Sequence, residues 1–131
     1  DLHKEYRRQR QMCIRDSNEG ITGDGVIQKI DDVYVMFYFG AFWKKRKYGA
    51  FNTFACSYDL VHWTKWEGED LVFPSEEYDR RYAHKSYVIK WNGIVYHFYC
   101  AVNENKQRGI ALATSQNLGK SSISFPIFEK N

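Results

Sequence analysis

A strand–turn–strand pattern that occurs twice, 61 residues apart, constrains this chain more than any other feature. Residues 33–39 and 94–100 are runs of β-branched and aromatic residues that lack the period of a helix. The first run follows Asp31-Asp32, and the second follows Asn92-Gly93, which is a strong hairpin signal. The predicted partner strands before these turns cover residues 25–30 and 86–91. The sequence therefore predicts two antiparallel hairpins.

The repeat continues beyond the hairpins. A third strand predicted at residues 55–60 corresponds to residues 113–118 at an offset of 58, and a fourth is predicted around residues 70–73. Short antiparallel strands that recur every ~40–60 residues are typical of β-propeller blades. A sandwich of hairpins is the alternative, but it does not predict the repeat. We therefore predict an all-β fold of about two four-stranded antiparallel blades of a propeller, which is an incomplete domain.

Residues 1–17 are expected to have another origin. Residues 7–17 can be encoded by the DNA of a transposase adapter used for short-read sequencing, and residues 1–3 match the constant segment before its sample index. We interpret residues 1–17 as adapter-derived and non-native, and the alternative is a genuine basic N-terminal arm. Residues 18–131 are then expected to be the C-terminal fragment of a β-propeller domain that has lost its natural N-terminus.

The composition excludes several classes of protein. The chain is 44% hydrophobic and 18% aromatic with a net charge of +3, which is typical of a globular domain. Residues 18–131 carry 14 basic and 13 acidic residues, so nothing indicates a nucleic-acid partner. No apolar run reaches the ~20 residues of a membrane span, so we expect no membrane partner. Cys56 and Cys100 have no metal-ligand spacing, and we predict no metal-ligating residues. The oligomeric state stays open.

Three motifs resemble those of five-bladed β-propeller glycoside hydrolases. Residues 57–63 resemble the S-x-D-L-x-x-W repeat of these enzymes, and residues 24–34 resemble the D-P-x-I-x-R-x-G-D-x-Y blade start of family 43. Residues 83–93 resemble the blade start that carries the catalytic acid in family 43. His84 stands where family 43 has a glutamate, and a histidine acid is similar to family 117. The resemblance implies a longer protein, called the parent protein below, that cleaves glycosidic bonds in a plant or algal poly- or oligosaccharide.

Asp24 and His84 are the predicted catalytic residues, each at the start of an inner strand. Inverting hydrolysis, the expected outcome, needs a base and an acid roughly 6.5–9.5 Å apart. Asp24 would be the general base or a carboxylate that orients the sugar, and the alternative is an ordinary turn aspartate. His84 would be the acid, because imidazole titrates near neutral pH. The alternative for His84 is a structural histidine.

Four further residues are predicted to bind an oligosaccharide substrate. Lys85 can hold a substrate carboxylate, Trp43 offers a face on which a sugar can stack, and Arg81 can clamp an acidic sugar. Glu104 is a further candidate carboxylate. Solvated charges, and packing between blades for the tryptophan, are the alternatives. We expect no cofactor, with a structural Ca²⁺ on the propeller axis as an open alternative.

Two other functions fit the same residues. A lectin-like propeller module that binds carbohydrate needs aromatic platforms but no acid–base pair. A mannoside phosphorylase-like propeller would hold phosphate with basic side chains, which Lys85, Arg80 and Arg81 can supply. The sugar, the linkage and the compartment stay open, with a periplasmic or extracellular location as the working expectation for the parent protein.

Overall fold

The computed structural model describes residues 20–119, where seven strands form two antiparallel sheets. Sheet 1 consists of β1 (Ile21–Ile30), β2 (Val33–Ala41), β3 (Ala50–Ser57) and β4 (Thr64–Lys65). Sheet 2 consists of β5 (Tyr82–Trp91), β6 (Ile94–Val102) and β7 (Arg108–Thr114). A single 3₁₀ turn, Glu77–Asp79, is the only helical element in this range. The prediction of an all-β fold is confirmed.

Two expectations concern residues before this range. The adapter interpretation of residues 1–17 and the boundary at residue 18 lie outside the described residues. Within residues 20–119, no helix is long and apolar enough to cross a membrane.

Both predicted hairpins are present. The β1–β2 turn contains Asp31 with φ of 52°, and the β5–β6 turn contains Asn92 and Gly93 with φ of 47° and 77°. A tight hairpin turn needs positive φ, which Asn, Asp and Gly adopt more readily than other residues. The turn chemistry in the sequence is therefore what closes each hairpin.

The two sheets repeat not only in order but in register. The first two strands of each sheet pair with an offset of 61, as shown by Ile27↔Met36 and Val88↔His97. The third strand follows with an offset of 58, as shown by Val35↔Cys56 and Tyr96↔Thr114. The sequence repeat thus corresponds to two copies of one structural unit.

The third and fourth strands depart from the predicted ranges. β3 and β7 end at Ser57 and Thr114, so the predictions of strands over residues 55–60 and 113–118 were wrong in their second halves. After Ser57 the Asp59 carboxylate accepts backbone N–H groups of Val61 and His62 at 2.9 and 2.8 Å. These bonds favour a turn over an extended strand.

The fourth strand of sheet 1 is β4, which lies before the predicted range of 70–73. Val72 makes an isolated bridge with Asn52 on the same edge of β3 that β4 occupies. The chain therefore follows this edge twice, with residues 67–70 looping out between the two contacts. Sheet 2 has three strands within residues 20–119.

The two sheets pack face to face, with β5 lying against β1, β2 and β3. Val35 and Phe37 of sheet 1 form a buried cluster with Val88 of sheet 2. Two amide side chains tie the backbones together: Gln28 donates to the carbonyl of Val88, and the fully buried Asn52 donates to the carbonyl of Ala83 at 3.2 Å. These bonds fix where β5 begins relative to sheet 1.

The sheets pack in head-to-tail order. Val35 and Phe37, which face sheet 2, correspond to Tyr96 and Phe98, which lie on the outer face of sheet 2. Five apolar side chains of that outer face are 36–81% exposed: Tyr87, Ile89, Trp91, Ile110 and Leu112. Conversely, Val88 corresponds to Ile27, which packs on the far side of sheet 1. The contact thus joins one face of sheet 1 to the non-equivalent, opposite face of sheet 2.

Candidate functional site

Two β-bulges, one in each sheet, bring Asp24 and Lys85 together. Asp24 lies among the unpaired residues between Gly23 and Val26, Lys85 lies unpaired between His84 and Ser86, and both have positive φ, 50° and 52°. Non-glycine residues seldom adopt this conformation, and a bulge re-aims the side chain that it carries. The Lys85 Nζ lies 3.8 Å from the Asp24 Oδ2. We call this pair the paired bulges.

The glycines beside Asp24 allow close packing below it. A Cβ at Gly25 would lie 3.1 Å from the Met36 sulfur, and a Cβ at Gly23 would lie 3.2 Å from the Phe39 ring. Both contacts are tighter than ordinary van der Waals contacts. At the bulge, β1 therefore contacts side chains of its neighbouring strand β2 closely, and these contacts hold the bulge in place.

His84 precedes Lys85 and is half-buried between two aromatic rings. Its ring meets Phe39 edge-on at 5.6 Å and Tyr82 at 6.0 Å between centroids. Its Nδ1 is buried and has no hydrogen-bond partner. Burial is the largest influence and lowers the pKa of His84, a hydrogen bond with the Cys100 backbone raises it, and the weaker effects are repulsion from Arg108 and Lys85 and attraction to Asp24. The acid role and the structural role of His84 both stay predictions.

The charges of the paired bulges are accessible to a ligand. The side chains of Asp24 and Lys85 are 46% and 63% exposed. At 3.8 Å such an exposed ion pair contributes only about 0–1 kcal/mol to stability, so both groups are free to exchange partners. The site offers a carboxylate on β1 of sheet 1, and an ammonium group and an imidazole on β5 of sheet 2.

Trp43 lies in a packing cluster. Its ring meets Phe51 edge-on at 5.0 Å, and its indole N–H donates to the Ile21 carbonyl at 3.0 Å. It packs against Met36 and Tyr38 on the far side of sheet 1. Trp43 therefore packs on its own sheet, whereas Trp91 is 66% exposed on the outer face of sheet 2.

The basic loop beside Trp43 contains a structural ion pair. The Arg46 guanidinium donates to both carboxylate oxygens of Asp70, at 2.7 and 3.1 Å, and the Tyr48 hydroxyl also donates to Asp70. The Asp70 side chain is 1% exposed. Burial, and then the bond to Asp70, raise the pKa of Tyr48. Arg46 is therefore committed to the fold.

Arg81 and Glu104 lie where β5 begins and β6 ends. The Arg81 guanidinium lies 5.3 Å from the centroid of the Tyr82 ring, and its backbone N–H donates to the Val102 carbonyl at 3.0 Å. Tyr82, and more weakly Glu104, raise the pKa of Arg81. Glu104 lines a shallow depression with Arg80 and neighbouring loop residues. Both predicted residues thus lie at the end of sheet 2 where β5 begins and β6 ends.

Asp79, in the loop between the sheets, is a carboxylate with a structural role. It is fully buried and accepts backbone N–H groups of Ser75 and Glu76 at 2.9 and 2.8 Å. The Tyr99 hydroxyl donates to it at 2.8 Å. Burial, and then the bond to Asp79, raise the pKa of Tyr99. The loop is therefore anchored on sheet 2 by a satisfied buried carboxylate.

Sequence reasoning missed Arg108, the first residue of β7. It pairs with Val102, which pairs with Tyr82, so Arg108 stands at the end of sheet 2 where His84 lies. The third-strand prediction began at residue 113, so this residue was not assigned to the sheet. Within the described range, no group of three or more His, Cys, Asp or Glu side chains is arranged to hold a metal ion.

The structure is similar to two solved structures, one described as "Glycoside hydrolase" and the other as a complex of BT0996 with RGII. This chain resembles part of a glycoside hydrolase. Each match has a TM-score of 0.79 and 65% sequence identity over 84% of this chain. The chain spans 31% of the length of each of these neighbours. No family model and no curated protein matches the chain.

Proposed function

We propose that the parent protein is a glycoside hydrolase and that this chain supplies part of its sugar site at the paired bulges. The observation that carries the proposal is the 65% identity with a structure named glycoside hydrolase over 84% of this chain. The other neighbour is described as a complex with RGII, which supports an oligosaccharide as the substrate class. The 31% coverage of each neighbour supports a parent protein that is longer than this chain.

We propose further that the parent protein is a β-propeller. The head-to-tail packing supports this architecture, because the contact joins opposite faces of two equivalent sheets and the same contact can therefore be repeated. A heterologous contact of this kind closes into a ring when the rotation between units permits it. The exposed apolar side chains of sheet 2, such as Trp91 at 66% and Ile110 at 81%, would then be covered by the next blade.

In this site, Asp24 would act as a base or orient the sugar, and His84 would exchange a proton or a hydrogen bond with it. Asp24 is supported by its exposed carboxylate on a bulge, and His84 by its buried, unpaired Nδ1. Glycoside hydrolysis ordinarily requires two carboxyl groups flanking the scissile bond. The second carboxylate would come from another part of the parent protein, and an inverting outcome remains our expectation.

The test is a hydrolysis assay of the parent protein on RGII-derived oligosaccharides, with variants at both residues. Asp24→Asn keeps a residue that tolerates positive φ, so the bulge should survive the change. Because proton transfer contributes ~10²–10⁴-fold to the rate, we expect Asp24→Asn and His84→Gln each to lower kcat by about 10²-fold or more. Asp32→Asn, in the exposed β1–β2 turn, is the matched control and should keep full activity. Full activity in both site variants would refute the assignment.

A further inference from the structure

The charges around His84 are unequal in sign. Lys85 and Arg108 both act on the imidazole as cations, and Asp24 acts on it as an anion. Lys85, Arg108 and Asp24 together carry one more positive charge than negative charge. An excess cation in a partly apolar site favours a ligand that brings an anionic group.

The placement of Lys85 is a property of the backbone. It occupies the same bulge position in sheet 2 that Asp24 occupies in sheet 1, 61 residues earlier, and both have φ near 50°. A residue held in this region costs of order 1 kcal/mol and persists only where its surroundings fix it. The bulge therefore fixes where the Lys85 side chain leaves the strand, and this side chain is 63% exposed and only weakly paired.

Arg108 approaches the same end of sheet 2 from the other side of β6. It pairs with Val102, which in turn pairs with Tyr82, and the Tyr82 ring contacts His84 at 6.0 Å. Ammonium and guanidinium groups are hydrogen-bond donors that cannot accept, so they select acceptor groups in a ligand. Carboxylates fit both, and guanidinium can bind a carboxylate through two parallel bonds.

We propose that Lys85 and Arg108 form a subsite for an oxyanion, which in the parent protein is the carboxylate of an acidic sugar in the substrate. This inference rests on the proposed function and adds a substrate class to it. The acidic sugar would bind beside Asp24, with Lys85 exchanging its weak contact with Asp24 for the substrate carboxylate. Inorganic phosphate has the same oxyanion chemistry and is the alternative source that the experiment separates.

The experiment compares RGII-derived oligosaccharides with the same material after its carboxyl groups have been reduced to alcohols. Steady-state kinetics of the parent protein are measured for Lys85→Gln, Arg108→Gln and Lys85→Arg, with Lys90→Gln as the control on the same strand. A charge-assisted hydrogen bond corresponds to roughly tenfold or more in affinity. We therefore expect the two Gln variants to raise KM about tenfold or more for the native substrate and less than about twofold for the reduced one. Lys85→Arg keeps the charge and should raise KM less than Lys85→Gln does, and Lys90→Gln should stay close to the wild type.

Three results would overturn the proposal. The first is no change of KM in the Gln variants, and the second is an equal change with native and reduced substrates, which would make these residues merely structural. The third is turnover that requires added phosphate and yields a sugar phosphate, since the anion would then be free phosphate.

Direct binding separates this proposal from the proposed function. Calorimetric titration of the parent protein with sodium glucuronate or galacturonate, against glucose and galactose, needs no turnover. We expect the uronates to bind more tightly to the wild type than to Lys85→Gln, and the neutral sugars to show no such difference. Uronate binding without hydrolysis would contradict the proposed function alone, whereas hydrolysis without uronate preference would contradict the oxyanion subsite alone.

Discussion

His97 makes the packing between the sheets sensitive to acid. Its side chain lies on β6 against Phe37 of sheet 1, with 6.2 Å between ring centroids, and the residue is 7% exposed. Its Nε2 is buried without a hydrogen-bond partner. Burial lowers the pKa of His97 to about 4. The folded protein therefore holds this imidazole in its neutral form.

The sign of the pH effect follows from this lowered pKa. Between pH ~6.5, the ordinary pKa of histidine, and pH about 4, the unfolded chain binds a proton that the folded chain does not, so acid favours unfolding. The free energy of unfolding then falls by up to ~1.4 kcal/mol per pH unit, or about 2 kcal/mol between pH 7 and pH 5. Above pH ~7 this group contributes no pH dependence.

The assay is urea unfolding of the parent protein at pH 7 and pH 5, with His97→Leu as the test variant. Leucine is close to histidine in volume and has no polar atom to leave unpaired, so the variant should fold at pH 7 and lose about 2 kcal/mol less than the wild type on acidification. His62→Gln is the control, because the His62 side chain is 86% exposed. Equal acid sensitivity of the wild type and His97→Leu would refute the argument.

Two further predictions concern the packing of sheet 1. Asp70→Ala removes the buried carboxylate that binds Arg46 and Tyr48, and we expect it to lower the free energy of unfolding by roughly 2–4 kcal/mol in urea titrations. Glu67→Ala is an exposed control near the same loop. An equal loss of stability in both variants would contradict the structural role of Asp70. Gly40→Ala would place a Cβ 2.5 Å from the Phe51 ring and 2.8 Å from the Trp43 ring. We therefore expect the free energy of unfolding to fall by about 1–3 kcal/mol and Tm to be lower. An unchanged Tm would show that the rings can move aside.

Local sequence patterns were sufficient for the hairpins. The turns and the β-branched and aromatic runs at β2 and β6 specify two strand pairs without any distant contact, and the structure confirms both. The C-terminal end of β3 could not be predicted in the same way. The Ser57 and Asp59 side chains accept backbone N–H groups there and turn the chain, although the strand propensity of the residues favours an extended strand.

The candidate site depends on geometry that the sequence does not display. A repeat offset of 61 aligns Asp24 with Lys85, but only the two bulges with positive φ show that both side chains leave their strands at the same point. His84, which the family resemblance selected, lies one residue before the bulge. Arg108 was missed because the start of β7 has no hydrophobic run to mark it.

We propose above all that the paired bulges are part of a sugar site in a larger propeller. A crystal structure of the parent protein with a bound RGII-derived oligosaccharide tests it most directly. We expect a sugar oxygen within about 3 Å of the Asp24 carboxylate or the Lys85 ammonium group, and a third sheet packed over Tyr87 and Trp91. A sugar bound away from both bulges, or an outer face of sheet 2 that stays exposed to solvent, would contradict the account.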